Sequence, residues 1–413
     1  MRQQFFTAPI LFVVISVLIT FFPGQVAAQG GTVEITNDGI VGWYNDLALT
    51  SSDLPVIVTY SATQGALLLI ECGDTTCTDT NRNVTPISTG SGDTGRSARL
   101  LLDASDNIYV AYRDHAAGNL LLLSCGASCA TSADNQTALV AGLGGDAGWH
   151  VDMALDATND QIKLVYRNDS DALNTNNWTV DYVICDLLPS LNCGTPVSLA
   201  AVGSFGGFPA IALDAAGLPY IAYRDGVNSR LDLVLCTDGT CLSPPTLIDQ
   251  SDDSQREDGF FTQLASDGST LWLYTLHLGI VPTGNNIQLR SYDITTTPGT
   301  ANSSFLNQFP VNAGYFFLDL ALDTSVSPTL PHLSYYELPS DDAKVRDCTN
   351  ASCTSGLDRL VSFEVGRPRG YFTALDVASN GDYVVLVNNH EFGDNLYLHN
   401  QGFSSDPNSI IGT

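Results

Sequence analysis

Short apolar runs alternate with polar positions from residue 31 to about residue 402, and Asp, Gly, Asn and Pro interrupt them every few residues. A period of two with that punctuation predicts β-strands throughout, and no stretch after residue 30 carries the period of an amphipathic helix. Four segments share one pattern: LLLDASDNIYVAYRD (100–114), MALDATNDQIKLVYRND (153–169), IALDAAGLPYIAYRD (211–225) and LALDTSVSPTLPHLSYYE (320–337). Weaker copies are LALTSSDLPVIVTY (47–60), LASDGSTLWLYTL (264–276) and LDVASNGDYVVLV (375–387). One landmark residue per copy, before the turn Asp or its substitute, gives Leu49, Leu102, Leu155, Leu213, Ser266, Leu322 and Leu375, at intervals of 53, 53, 58, 53, 56 and 53. Seven copies so spaced predict an all-β chain folded as a seven-bladed β-propeller of four-stranded blades.

Residues 208–248 show how a copy parses. Phe208 to Leu213 is an inner strand ending at Asp214, Ala216-Gly217 is a tight turn, and Pro219 to Tyr223 is the second strand. Leu231 to Cys236 is the third, Cys236 to Cys241 a hairpin, and Pro245 to Ile248 the fourth. The blades then fall near 42–90, 95–142, 148–202, 206–250, 259–311, 314–366 and 370–402, within one propeller spanning 29–402 and followed by a polar tail, 403–413. The last copy holds three strands, and Thr32 to Thr36 has the layout of a fourth. Residues 31–37 are therefore expected to complete the last blade and close the ring, which removes the exposed edges of an open array.

Residues 1–28 read as an export signal, with Arg2, an uncharged run from Ile10 to Phe22, a break at Pro23-Gly24 and small residues at Val26-Ala27-Ala28. Thirteen such residues suit a signal core and fall short of a bilayer span, so a secreted, extracellular chain is expected. Ten cysteines lie in close pairs: Cys72 with Cys77, Cys125 with Cys129, Cys185 with Cys193, Cys236 with Cys241, and Cys348 with Cys353. In an exported chain these imply five disulfides, each across the turn between third and fourth strands, where an outermost strand is most prone to fray. No histidine accompanies the pairs, which argues against zinc.

Acidic residues number 44 against 16 basic, for a net charge of −28, and losing Arg2 leaves −29. That excess repels phosphate backbones and anionic membranes, so no nucleic acid and no membrane partner is expected, and a monomer is. Asp supplies 38 of the 44 acids, a surplus that turn chemistry explains.

The repeat resembles tandem repeats of exported bacterial proteins, on Gly206-Gly-Phe-Pro-Ala-Ile-Ala-Leu-Asp214, Gly217-Leu-Pro-Tyr-Ile-Ala-Tyr-Arg-Asp225 and the hairpin from Leu231 to Cys241. The likeness covers residues 31–402 and implies a propeller-like fold without a defined activity.

Candidate chemistry gathers where chain enters the inner strands and leaves the second strands, which a propeller places on one face. A glycine-aromatic step precedes the inner strand at Gly42-Trp43, Gly148-Trp149, Gly207-Phe208, Gly259-Phe260, Gly314-Tyr315 and Gly370-Tyr371, with His150 beside Trp149. Charged exits follow the second strand at Arg113-Asp114, Arg167-Asn168-Asp169, Arg224-Asp225 and Glu337. Aromatic faces with carboxylates and guanidinium forks suit a glycan or a protein ligand; the same residues could instead wedge between blades and bridge them. The sialidase turn motif Ser-x-Asp-x-Gly-x-Thr-Trp is absent, no facing pair of carboxylates can be singled out, and no nucleophile elbow occurs. The expected function is a non-enzymatic binding module on this face, with a glycoside hydrolase, sialidase-like or two-carboxylate and with a single pocket at the channel mouth, or a structural, adhesive protein as alternatives. No cofactor is expected, although Asp103 with Asp106, or Asp252-Asp253, could hold a structural calcium ion.

Overall fold

The computed structural model describes residues 30–36, 40–87, 92–129, 135–142, 146–169, 177–251, 256–279, 286–295, 301–302, 315–337, 342–361, 369–389 and 395–401. The expected export signal and the tail lie outside the described residues, as do Asp252 and Asp253. No helix among the described residues is long and apolar enough to cross a membrane.

Seven antiparallel sheets form a seven-bladed propeller. Blade 1 comprises Val41–Leu49, Pro55–Ser61, Ala66–Cys72 and Arg82–Ile87. Blade 2 comprises Thr94–Leu102, Ile108–Asp114, Asn119–Ser124 and Gln136–Ala141. Blade 3 is Ala147–Asp156, Gln161–Asn168, Thr179–Asp186 and Val197–Ala201, with the short strand Asn192–Cys193 beside its third. Blade 4 is Gly207–Leu213, Pro219–Asp225, Arg230–Leu235 and Thr246–Gln250. Blade 5 is Arg256–Ser266, Thr270–Gly279, Asn286–Asp293 and Ala301–Asn302. Blade 6 is Tyr315–Asp323, Leu330–Glu337, Asp342–Cys348 and Gly356–Leu360. Blade 7 takes Arg369–Val377, Tyr383–Asn389 and Asn395–Gln401, and its fourth strand is the N-terminal Gly30–Thr36, paired antiparallel with Asn395–Gln401. The ring thus closes by joining the two ends of the chain.

A chain of this length exceeds what one compact core can serve, since single cores stop growing near ~250–300 residues. The molecule answers with small cores between neighbouring blades. Ile57, Leu68 and Ile70 of blade 1 pack on Val384, Leu386 and Leu398 of blade 7. Val56, Val58 and Leu69, on the opposite face of blade 1, pack on Leu100, Val110 and Tyr112 of blade 2. Strand alternation therefore serves both faces of every blade, which is why most second strands are buried along their whole length.

Polar residues specify the lower face, where inner strands turn into second strands. Asp103 accepts the N–H groups of Ser105 and Asn107, and Asp214 those of Ala216 and Leu218. Asp106 accepts both the N–H and the hydroxyl of Ser51, clamping blade 1 to blade 2. Asx turns thus absorb part of the aspartate surplus.

All five cysteine pairs are disulfides across the third-to-fourth turn. Cys72 is bonded to Cys77, Cys125 to Cys129, Cys185 to Cys193, Cys236 to Cys241, and Cys348 to Cys353. The second cysteine of the three five-residue bridges is left-handed: Cys77 (φ 55°), Cys241 (55°) and Cys353 (52°). Cys77, Cys129, Cys241 and Cys353 are all buried, so the bridges extend the interblade cores outward as well as closing their turns. Bridges of this number are those of a chain that matures in an oxidising compartment.

Candidate functional site

The opposite, upper face is built on a repeated bulge at the start of each inner strand. In blade 1 the register slips between Val41 and Trp43 and again between Trp43 and Asp46. Corresponding slips occur in blades 2, 3, 5 and 7. A bulge leaves one residue unpaired and turns its side chain away from the sheet face. That residue is left-handed in six blades: Tyr44 (φ 52°), Ser97 (51°), His150 (50°), Phe208 (50°), Phe261 (51°) and Phe372 (57°). Outside glycine this conformation costs on the order of 1 kcal/mol or more. The preceding glycines permit the slip. Gly95 has φ +110°, and a Cβ there would stand 2.7 Å from the Leu67 Cα of the neighbouring blade.

The six side chains converge on the ring axis and wall a cup of about 140 Å³. His150 lies 4.2 Å from Phe208, and Phe208 lies 5.3 Å from Phe261, ring centre to ring centre. Across the cup, Tyr44 and Phe372 are 5.1 Å apart. Burial, with Arg167 and Arg99 nearby, pushes the His150 imidazole well below its ordinary pKa, so the ring is neutral near pH 7. Asn45, Thr262, Gln263 and Thr373 add polar groups to the lining.

Arg99 closes the cup from below. It extends from blade 2 across the axis and donates to Gln263 Oε1 of blade 5 at 3.0 Å. Asp152 of blade 3 and Asp46 of blade 1 flank its guanidinium at 3.5 and 3.8 Å. These acids also staple the ring, each accepting a backbone N–H of the next blade. Asp46 takes Leu100, Asp152 takes Ile211 and Asp319 takes Leu375, at 2.7–2.9 Å. Below the plug lies a second chamber of about 320 Å³, lined by Asp46, Asp152, Asp319 and Asp376. Burial dominates their titration. It raises Asp46 and Asp152, and it pushes Asp319 up to about 7 and Asp376 to about 6. The same acids hold Arg99 firmly charged, above its ordinary value, against a burial that opposes it.

Of the site residues expected from the sequence, His150 and Phe208 reach the cup. Others stand between blades. Arg113 stacks 4.5 Å over Trp149 and binds Asp146 and the carbonyl of Ala147, at the start of blade 3. Arg167 lies 4.3 Å from Trp178 and forms a bidentate pair with Asp169. Arg224 stacks 4.1 Å over Phe260 and donates to the Asp258 carbonyl of blade 5. Asp114 and Asp225 accept backbone N–H groups of their own turns, and Glu337 pairs with Lys344. Trp43 is half-buried beside Tyr60 in register. Tyr315 opens its strand opposite Glu337, and Tyr371 pairs in register with Asn388.

Two register details move the equivalences. Gly207 pairs with Arg224 as Trp149 pairs with Arg167, so Phe208 corresponds to His150 rather than to Trp149. In the seventh copy, Val377 rather than Leu375 corresponds to Leu322, lengthening the last interval from 53 to 55. The plug and its acids were missed because they differ chemically from copy to copy. Their signal is a polar residue three places before the landmark in five copies: Asp46, Arg99, Asp152, Gln263 and Asp319.

Fold and site together define a propeller with a blind, aromatic-walled cup on its axis. No family model matches the chain. The comparison with curated proteins gives no match. Solved structures share the fold at low identity. An ulvan lyase of polysaccharide lyase family PL25, bound to a -[GlcA(1-4)Rha3S]- ligand, superposes with a TM-score of 0.53 at 11% identity, over 91% of this chain and 94% of that one. The Trypanosoma rangeli sialidase in complex with sialic acid gives 0.50 at 8%, over 79% of this chain; the chain spans 56% of the sialidase's length. The Saccharomyces cerevisiae core factor gives 0.51 at 11%, over 94% of this chain and 63% of that one. So varied a set shares an architecture and not a reaction.

Proposed function

We propose that this chain is a secreted, non-enzymatic binding module that holds a glycan at the upper face, with the axial cup as its principal contact. The observation carrying the proposal is the cup itself. Five rings from five blades, each on the left-handed residue of its bulge, surround a polar floor. Sugars present apolar C–H faces and hydroxyl edges, which suit ring stacking and amide or hydroxyl hydrogen bonds respectively. An aromatic lining with few convergent polar groups is the usual composition of such a site. Two of the three neighbours described above bind acidic glycans on the same architecture.

Most glycoside hydrolases use two carboxylates flanking the scissile bond, and sialidases use a tyrosine nucleophile in place of one. No carboxylate lines the cup among the described residues; the buried aspartates face the chamber beneath Arg99. A single axial pocket is what a hydrolase would also show; the lack of any carboxylate in its lining among the described residues is what favours binding over cleavage. The interblade stacks of Arg113 and Arg224, with the stack of Arg167 on Trp178 within blade 3, lie at the rim around the cup.

The test is a glycan array probed with the oxidised mature protein, with and without calcium. A hit weakened about tenfold or more by Phe208→Ala supports the proposal, because a stacked ring contributes ~1–1.5 kcal/mol beyond its area. Trp149→Ala is expected to lower the melting temperature instead, since it removes the face on which Arg113 stacks. No glycan bound under either condition sinks the proposal and points to a protein ligand.

A further inference from the structure

Resting on that reading, we infer that the cup takes a single uncharged sugar ring at the end of a chain or branch, not an internal segment of a polymer. Three observations carry the inference. The first is that the cup is blind. Arg99 spans the axis to Gln263 and is wedged between Asp46 and Asp152, so nothing threads from the upper cup to the chamber below. A chain lying across the face keeps its internal rings at the rim, because each is linked on both sides. Only a ring linked on one side descends between Tyr44, His150, Phe208, Phe261 and Phe372 to the floor.

The second observation is size. About 140 Å³ is well below the roughly 300–1,000 Å³ of sites that enclose drug-sized ligands. That is the scale of one ring with its hydroxyls.

The third is charge. Arg99 is the one cation lining the cup among the described residues, and it is already committed. One of its terminal nitrogens donates to Gln263, and two carboxylates stand within 4 Å of the guanidinium. An incoming uronate or sialate would meet that guanidinium from a cup backed by Asp46, Asp152 and Asp319, in a chain of net charge −28. His150, neutral at pH 7, adds no positive charge to the wall. A neutral ring meets no such opposition: its faces find the aromatic walls, and its hydroxyls need only share Gln263, Thr262 and Thr373, which the Leu318 carbonyl and Arg99, the Gly259 carbonyl and Ser334 already engage. The three-acid floor thus sets a preference against the acidic glycans of the structural neighbours.

The experiment uses the full mature protein and a panel of neutral polysaccharides: arabinan, xylan, galactomannan, β-1,3-glucan and amylose. Alginate and polygalacturonate form the acidic arm. Each polymer is offered intact and after limited hydrolysis, at equal mass, so that only the number of chain ends changes. Methyl glycosides of arabinose, xylose, mannose, galactose and glucose serve as competitors. The expected result is binding to a neutral polymer that rises at least threefold with hydrolysis, competition by the matching methyl glycoside, and loss of both in Phe208→Ala. Binding unchanged by hydrolysis and insensitive to every methyl glycoside overturns the chain-end inference and leaves glycan binding standing. Tighter binding to the acidic polymers overturns the neutral-ring part. No binding to any member overturns the glycan reading and this inference with it.

Discussion

The two ends of the same inner strands are built by opposite means. At the lower end, turn carboxylates cap their own turns within a few residues along the chain, while Asp106 and Asp53 also clamp neighbouring blades through Ser51 and Ser379. Asp214 caps its own turn, and Asp238 accepts the N–H groups of Thr240, Cys241 and Ser243 inside a hairpin that a disulfide closes. At the upper end, partners come from other blades: Arg99 from blade 2 meets Gln263 from blade 5, and Asn45 of blade 1 donates to the Phe372 carbonyl of blade 7. Lower turns form with their own blade. The cup and its plug exist only once the ring is closed. The proposed binding cup therefore sits where partners come from other blades, and the left-handed bulges are the strain accepted there.

The largest expected break in that contrast is Arg99→Met. Removing one partner from a buried charge cluster costs about 3–5 kcal/mol, because it leaves uncompensated carboxylates. The loss should be clear in thermal melts at pH 8 and smaller at pH 5, where the freed carboxylates take up protons. Equal losses at both pH values would mean that Arg99 matters for its packing and not for its charge.

Gly95→Ala comes next, at about 3 kcal/mol, since its Cβ would enter the Leu67 backbone at φ +110°. Gly92→Ala is the control. Its φ is +89° with nothing within 4 Å, so roughly 1 kcal/mol is expected. Denaturant midpoints of the two variants measure the difference, which is the contribution of blade-to-blade approach.

At the lower end, Cys236→Ser with Cys241→Ser should cost about 2 kcal/mol, the scale for so short a loop. Glycan affinity should stay unchanged, because that hairpin is local. Weakened binding in the double variant would show that the two ends are linked more closely than their bonding suggests.

The smallest effect is a pH slope. Asp319 and Asp376 have folded-state pKa values raised to about 7 and about 6. A raised carboxylate binds more protons folded than unfolded between its two pKa values. Its contribution is complete below about 4 and is lost as pH rises toward 7. Stability should therefore fall as pH rises from 4.5 to 8. Asp319→Asn should flatten the slope; an unchanged slope in that variant would assign the effect to the chain's overall negative charge.

Much of this was legible in the chain. The landmark residues marked seven copies, Thr32 to Thr36 marked the closing strand, and the spacing of pairs such as Cys72 with Cys77 and Cys348 with Cys353 marked the five bridges. Each is a local signal of two-residue alternation, turn chemistry or short-range pairing. The candidate site was legible only in part. Gly207-Phe208 reads like Gly148-Trp149, yet pairing with Arg224 shifts blade 4 by one residue and sends Phe208 to the axis with His150. A one-residue slip redirects a side chain, and register is fixed by the neighbouring strand, not by the dipeptide.

By itself, then, the sequence determined the number of blades, their closure and the disulfides, because each of those is encoded within about one repeat. The tertiary structure decided which residues meet on the axis. Asp46, Arg99, Asp152, Gln263 and Asp319 put three residue types at one repeat position and lie up to five blades apart in order. Their complementarity appears only when the ring closes and burial makes an unpaired charge too costly to leave alone.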